Sequence, residues 1–216
     1  MPPDNLDPVE VRVIGCLIEK EYTTPDNYPL SLNALTSACN QSSNRDPVMS
    51  IEENEVSQAL DSLRRRGLVR SIQPVGSRVS KFQHLLADVR ELSRAEQAVL
   101  SVLTLRGAQT QAEVRTRASR LMPNDDATGL DAALETLVMR EQQPLVVRLA
   151  RRPGQKEARY AHLLAGDVQE ATDDAPVVVA PPASDRVSAL EEQVRELQNE
   201  MSDLRAQLAA FRKQFE

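Results

Sequence analysis

An internal repeat is the strongest constraint on how this chain can fold. Val13, Ile14 and Leu17 are matched at an offset of 86 by Val99, Leu100 and Leu103, and Leu60 and Leu63 at an offset of 74 by Leu134 and Leu137. The segment "LVRSIQPVGSRVSKFQHLL" (68–86) then parallels "LVVRLARRPGQKEARYAHLL" (145–164). Each is an apolar run, a turn rich in Gly, Pro or Ser, and a second run ending His-Leu-Leu, which is the pattern of a β-hairpin. Repetition at this spacing means that one supersecondary unit is used twice.

Reciprocal capping pairs place the helices inside each unit. Asp7 with Glu10, Ser50 with Glu53, Ser93 with Glu96 and Thr110 with Glu113 each set a side-chain acceptor three residues before a carboxylate. They predict helices over 8–22, 51–66, 94–106 and 111–121. Ser31 predicts another over 32–39, and Asp126 or Thr128 one over 128–142. Three helices and a hairpin, twice, predict a mainly α (α+β) chain of two tandem winged helix-turn-helix domains, 1–91 and 92–166, each with its own core.

The stretch "TTPDNYPLSLNALTSACNQSSNRDPVM" (23–49) resembles the signature of the YceH-like bacterial proteins, an uncharacterised family of tandem winged-helix fold. The resemblance spans residues 6–165 and includes the capped segment "DPVEVRVIGCLIEKE", the "LRRRGLV" junction and both His-Leu-Leu ends. It implies the fold and carries no biochemical activity with it.

Beyond the repeats the text changes. Residues 167–183, "DVQEATDDAPVVVAPPA", have no period and contain three prolines, as a linker does. Residues 184–216 then carry a heptad in which Val187, Leu190, Val194, Leu197, Met201, Leu204, Leu208 and Phe211 alternate spacings of three and four. A parallel partner would set Arg186 against Glu191 and Glu200 against Arg205, both opposite in sign. A parallel homodimer coiled coil is the expectation, and a helix packed back on its own body the alternative.

The net charge of −6 is concentrated in that tail. Residues 1–91 sum to −3, residues 92–166 to +3 and residues 167–216 to −6, so the body is neutral and an acidic average says little against a nucleic-acid partner. The start "MPPDNLDPVE" lacks a secretory pattern, and no run approaches about 18 apolar residues, so a cytoplasmic address without a membrane partner is expected. Cys16 and Cys39 have neither zinc nor disulfide-framework spacing and read as reduced thiols.

The inventory argues against an enzyme. The only histidines, His84 and His162, occupy equivalent hairpin ends and read as structural. Seven glycines include no phosphate-cradling motif, and no catalytic group, metal or cofactor is expected. Positive charge lies on the predicted helix at 111–121 (Arg115, Arg117, Arg120) and on the second hairpin (Arg148, Arg151, Arg152, Lys156, Arg159). The first hairpin adds Arg78 and Lys81. These are candidate contacts to duplex phosphates.

The third helices, where a winged helix reads bases, instead carry Glu52, Glu53, Glu55 and Asp61, and Asp125, Asp126, Asp131 and Glu135. Two functions stay open: duplex DNA binding through the wings in a regulatory role, and protein bridging without DNA readout. The polar run Asn40–Ser50 is a turn whose side chains can bond the backbone, or one in which Asn44 and Arg45 offer donors to a phosphate or partner.

Overall fold

The structure, a computed structural model, describes residues 5–74, 76, 78–122, 128–141, 143–151 and 157–166. All lie in the first of the chain's two compact units, Met1–Glu170. The predicted linker, the coiled-coil residues, Arg152, Lys156, Asp125 and Asp126 fall outside the described residues.

The fold is α+β and repeats one order of elements. In the first half α1 (Pro8–Thr23) leads through a short 3₁₀ turn to β1 (Leu30–Ser31), α2 (Leu32–Cys39), α3 (Glu53–Arg65), β2 (Val69–Ile72) and β3 (Lys81–His84). A short α4 (Leu86–Arg90) joins the halves. The second half runs through α5 (Arg94–Arg106), β4 (Gln109–Thr110), α6 (Gln111–Ala118), α7 (Thr128–Met139), β5 (Val146–Arg148) and β6 (Arg159–His162). The sheets have orders β1-β3-β2 and β4-β6-β5, antiparallel throughout, with His84 opposite Val69 and His162 opposite Val146. This order is compatible with a winged helix-turn-helix in each half.

The capping pairs explain most helix starts. The backbone N–H of Asp7 donates to Glu10 (2.9 Å), that of Ser93 to Glu96 (2.7 Å) and that of Thr110 to Glu113 (3.0 Å). Ser50 is the exception. α3 starts two residues after the predicted position, and Glu52 donates its N–H to Glu55 at 2.8 Å. The reason is Asn40, whose side-chain amide donates to the Ile51 carbonyl (2.8 Å) and accepts from the Ile51 N–H (2.7 Å). That two-way bond holds residue 51 to the end of α2 and postpones the helix. α6 and α7 also end before their predicted limits, at Ala118 and Met139.

Two-residue β1 and β4, and five-residue α4, are not legible from periodicity, yet β1 and β4 complete each sheet by pairing with the last strand of the hairpin.

α1 and α5 sit at the centre. Each is buried on every side over ten consecutive residues, Glu10–Glu19 and Glu96–Leu105, as a helix enclosed by others must be. They pack against one another where α1 carries Gly15: a Cβ there would lie 2.6 Å from Thr104 Oγ1 and 2.9 Å from Leu105 Cδ2. The expectation of one core per half is therefore corrected. A single apolar cluster runs from Val13, Ile14 and Leu17 through Leu100 and Leu103 to Leu134 and Leu137. No helix among the described residues is long and apolar enough to cross a membrane.

Candidate nucleic-acid interface

The second hairpin positions its cations by register. Arg148, the last residue of β5, lies opposite Tyr160 on β6, and pairing continues through Leu149 N–H to the Arg159 carbonyl at 2.8 Å. Tyr160 is buried, and its hydroxyl donates to Glu135 of α7 at 3.3 Å; burial raises its pKa first, with the Glu135 charge adding. This anchors β6 to α7.

Beside that anchor is a groove of about 190 Å³ lined by Gln111, Arg148, Arg151, Glu157, Ala158 and Tyr160. Arg148 and Arg151 are exposed, while Arg159 is half-buried in the strand. Gln111 is the first residue of α6, so the groove opens at that helix's N-terminus, where backbone N–H groups favour an anion. Gln111 and Tyr160 were not singled out from the sequence, although the Thr110 cap marks Gln111 as a helix start. Glu157 brings one carboxylate to the same groove, which limits its net charge.

The other sequence candidates are distributed differently. Arg115 pairs with Asp131 of α7 at 3.0 Å, and Arg117 with Glu113 at 3.3 Å. The α6 arginines therefore already face carboxylates. In the first hairpin Arg78 is exposed, whereas Lys81 is half-buried beside a groove that also contains Lys20 and Gln41.

Arg45 is the clearest departure from expectation. Its side chain is fully buried (0% exposed), and its guanidinium donates to both Glu19 oxygens (2.6 and 3.0 Å), the Ala38 carbonyl and Gln41. It is committed inside the protein and offers nothing to a phosphate. Arg12 of α1, which sequence reading passed over, reinforces the same turn from below through the carbonyls of Cys39 (3.0 Å) and Pro47 (2.6 Å). The polar run is thus a turn pinned by two buried arginines. Asn44, at φ 59° in the left-handed region that Asn tolerates, remains at the surface and accepts from Arg106 at 2.5 Å.

Cys16 and Cys39 are free and buried. A hydrogen bond with Cys16, and then burial, push the Cys39 thiol up and away from thiolate character. His84 Nε2 lies 2.6 Å from Glu21, and His162 sits at the equivalent strand end.

The exposed face of α3 presents Glu52, Glu53, Glu55 and Asp61 over its first turns and Arg64 and Arg65 at its end, with Asp61 already bonded to Arg64 at 3.2 Å. Carboxylates there oppose the approach of a phosphate backbone.

The chain matches the family described as a protein of unknown function, DUF480, over residues 6–155. It is 49% identical over 217 residues to a UPF0502 protein of Pelobacter propionicus, covering 98% of each chain. It is similarly 47% identical to the UPF0502 protein VPA1223 of Vibrio parahaemolyticus (95% of this chain, 97% of the relative). With the UPF0502 protein YceH of Salmonella newport the identity is 46% (94% and 97%). Coverage of this extent carries the similarity past residue 166 into the terminal segment.

Proposed function

We propose that this chain, which belongs to the DUF480 family of proteins of unknown function, is a non-enzymatic regulator that binds duplex DNA through its second wing. The observation that supports this reading is the groove in which Arg148 and Arg151 stand together at the N-terminus of α6. Two guanidinium groups and a helix N-terminus are suited to successive phosphate oxygens. The exposed Arg78 of the first wing adds a further contact. The acids of α3 obstruct base reading, so binding should discriminate little between sequences. The terminal heptads would pair two chains and present two wings to one duplex.

The test is titration of a labelled duplex at low and moderate salt. Affinity should fall with salt at a logarithmic slope of roughly 0.9 per phosphate neutralised, and Arg148→Ala with Arg151→Ala should reduce that slope by up to about two for all sequences alike. Absence of binding at low salt would remove this reading. Protein bridging is then favoured by one feature: the acidic face of α3, in the position where a base-reading helix would need donors, suits a basic protein surface.

A further inference from the structure

The geometry points to a small-oxyanion site in a cleft between the two halves of the described unit, separate from the second wing. The cleft holds about 120 Å³ and is bounded by the end of α1, the 40–50 turn, the last turns of α5 and the end of α6. It is lined by Arg106, Arg117 and Arg120 together with Asn44, and by the apolar side chains of Val102, Leu105 and Leu121.

Three guanidinium groups converge there without three carboxylates to match. Arg117 has Glu113 and donates to Gln109. Glu19 also lines the cleft, but both its oxygens are bonded by Arg45. Arg106 bonds the neutral side chain of Asn44, and the charge of Asp46 acts on it in the opposite sense to Arg117 and Arg120. Arg120 is exposed, and no acid among the described residues pairs with it. Burial first, and then the charges of Arg117 and Arg120, pull the Arg106 pKa down, so part of that shift is repulsion among the three cations. An oxyanion between them would relieve that repulsion, and guanidinium groups bind such a group through paired N–H donors.

Size and lining define the class. A space of about 120 Å³ is smaller than the roughly 300–1,000 Å³ of pockets that enclose drug-sized ligands. It suits a phosphate or carboxylate with a short apolar body and is too small to enclose a nucleotide. Because Thr23 and Asn44 come from the first half and Arg106, Arg117 and Arg120 from the second, an occupant bridges the halves and would act as an effector rather than as a substrate.

The experiment is calorimetric titration of the full chain, in a low-salt buffer free of multivalent anions, with inorganic phosphate and separately with butanoate. We expect saturable binding of one anion per chain. The better of the two probes identifies the head group. Arg120→Gln should weaken binding at least tenfold while leaving the unfolding midpoint unchanged, since that side chain has no acid partner among the described residues, and Arg106→Gln should weaken binding to the same extent but also lower the midpoint, because its bond to Asn44 is lost. Arg148→Ala with Arg151→Ala should leave anion affinity intact even though it weakens duplex binding and lowers its salt slope, so the two sites fail independently. No saturable binding of either probe at millimolar concentration would overturn the assignment. So would wild-type affinity in both Arg120→Gln and Arg106→Gln, or loss of anion binding only in the second-wing variant.

Discussion

Ser101 donates a hydrogen bond to the main-chain carbonyl of Gly15 at 3.3 Å, and the two residues stand 86 positions apart, the same offset that relates the apolar positions of α1 and α5. The central helices of the two repeats therefore cross at equivalent points. Gly15 permits the approach, and Thr104, whose hydroxyl bonds the carbonyls of Leu100 and Ser101, takes up the space beside it.

Gly15→Ala should destabilise the protein by about 1–3 kcal/mol, the usual cost of forcing an extra carbon into a packed interior. The helix propensity gained from alanine, up to about 1 kcal/mol, offsets only part of this. Urea unfolding reads the change directly. Adding Thr104→Ala should recover part of the loss, because it removes the oxygen that the new Cβ meets first. A Gly15→Ala protein as stable as the parent would show that the crossing has slack.

Arg45→Met should cost roughly 3–5 kcal/mol by leaving Glu19 buried without its main partner. The double change Arg45→Met with Glu19→Leu should be milder than the single one, since no charge is then stranded. A double-mutant cycle of unfolding free energies checks both statements.

His162 makes stability fall on the acid side. Burial holds its pKa at about 4, below the 6.5 of an unfolded histidine, and its Nδ1 finds no partner among the described residues. Above pH 6.5 the ring is neutral in both states and takes nothing from stability. Between pH 6.5 and 4 the unfolded chain binds the proton and the folded chain does not, so the native state loses about 3 kcal/mol by the lower limit. Denaturation midpoints for the parent and His162→Gln should converge in profile above pH 6.5 and separate below it, with the variant less acid-sensitive.

The intact chain should sediment as a dimer at micromolar concentration, and removal of residues 184–216 should give a monomer. Replacing Leu197 and Leu204 with glutamate should have the same effect by placing charges in the seam. A monomeric intact chain would favour the alternative in which the last helix packs on its own body.

What could be read from the sequence was local. The pairs Asp7/Glu10, Ser93/Glu96 and Thr110/Glu113 identified helix starts because both partners lie within one turn. The hairpins were legible because alternation, turn residues and the His-Leu-Leu ends all fall in one short segment. Ser50 misled because its fate is set by Asn40, eleven residues before Ile51. Arg45 read as a surface donor because the carboxylate that draws it inward, Glu19, lies 26 positions away. Arg115 read as a free cation for the same reason, its acid Asp131 being on another helix. Arg148 and Arg151 needed no distant partner to be placed at the wing, and they are the candidate cations that the structure does bring into one groove.

Contact between equivalent positions of α1 and α5 is the geometry of a symmetric dimer written into one chain. The α4 segment acts as a tether, so an association that would otherwise depend on protein concentration becomes intramolecular. A fragment ending at residue 91 would carry the α1 surface around Gly15 without its counterpart. Two such fragments could close that surface only by taking each other as the missing half.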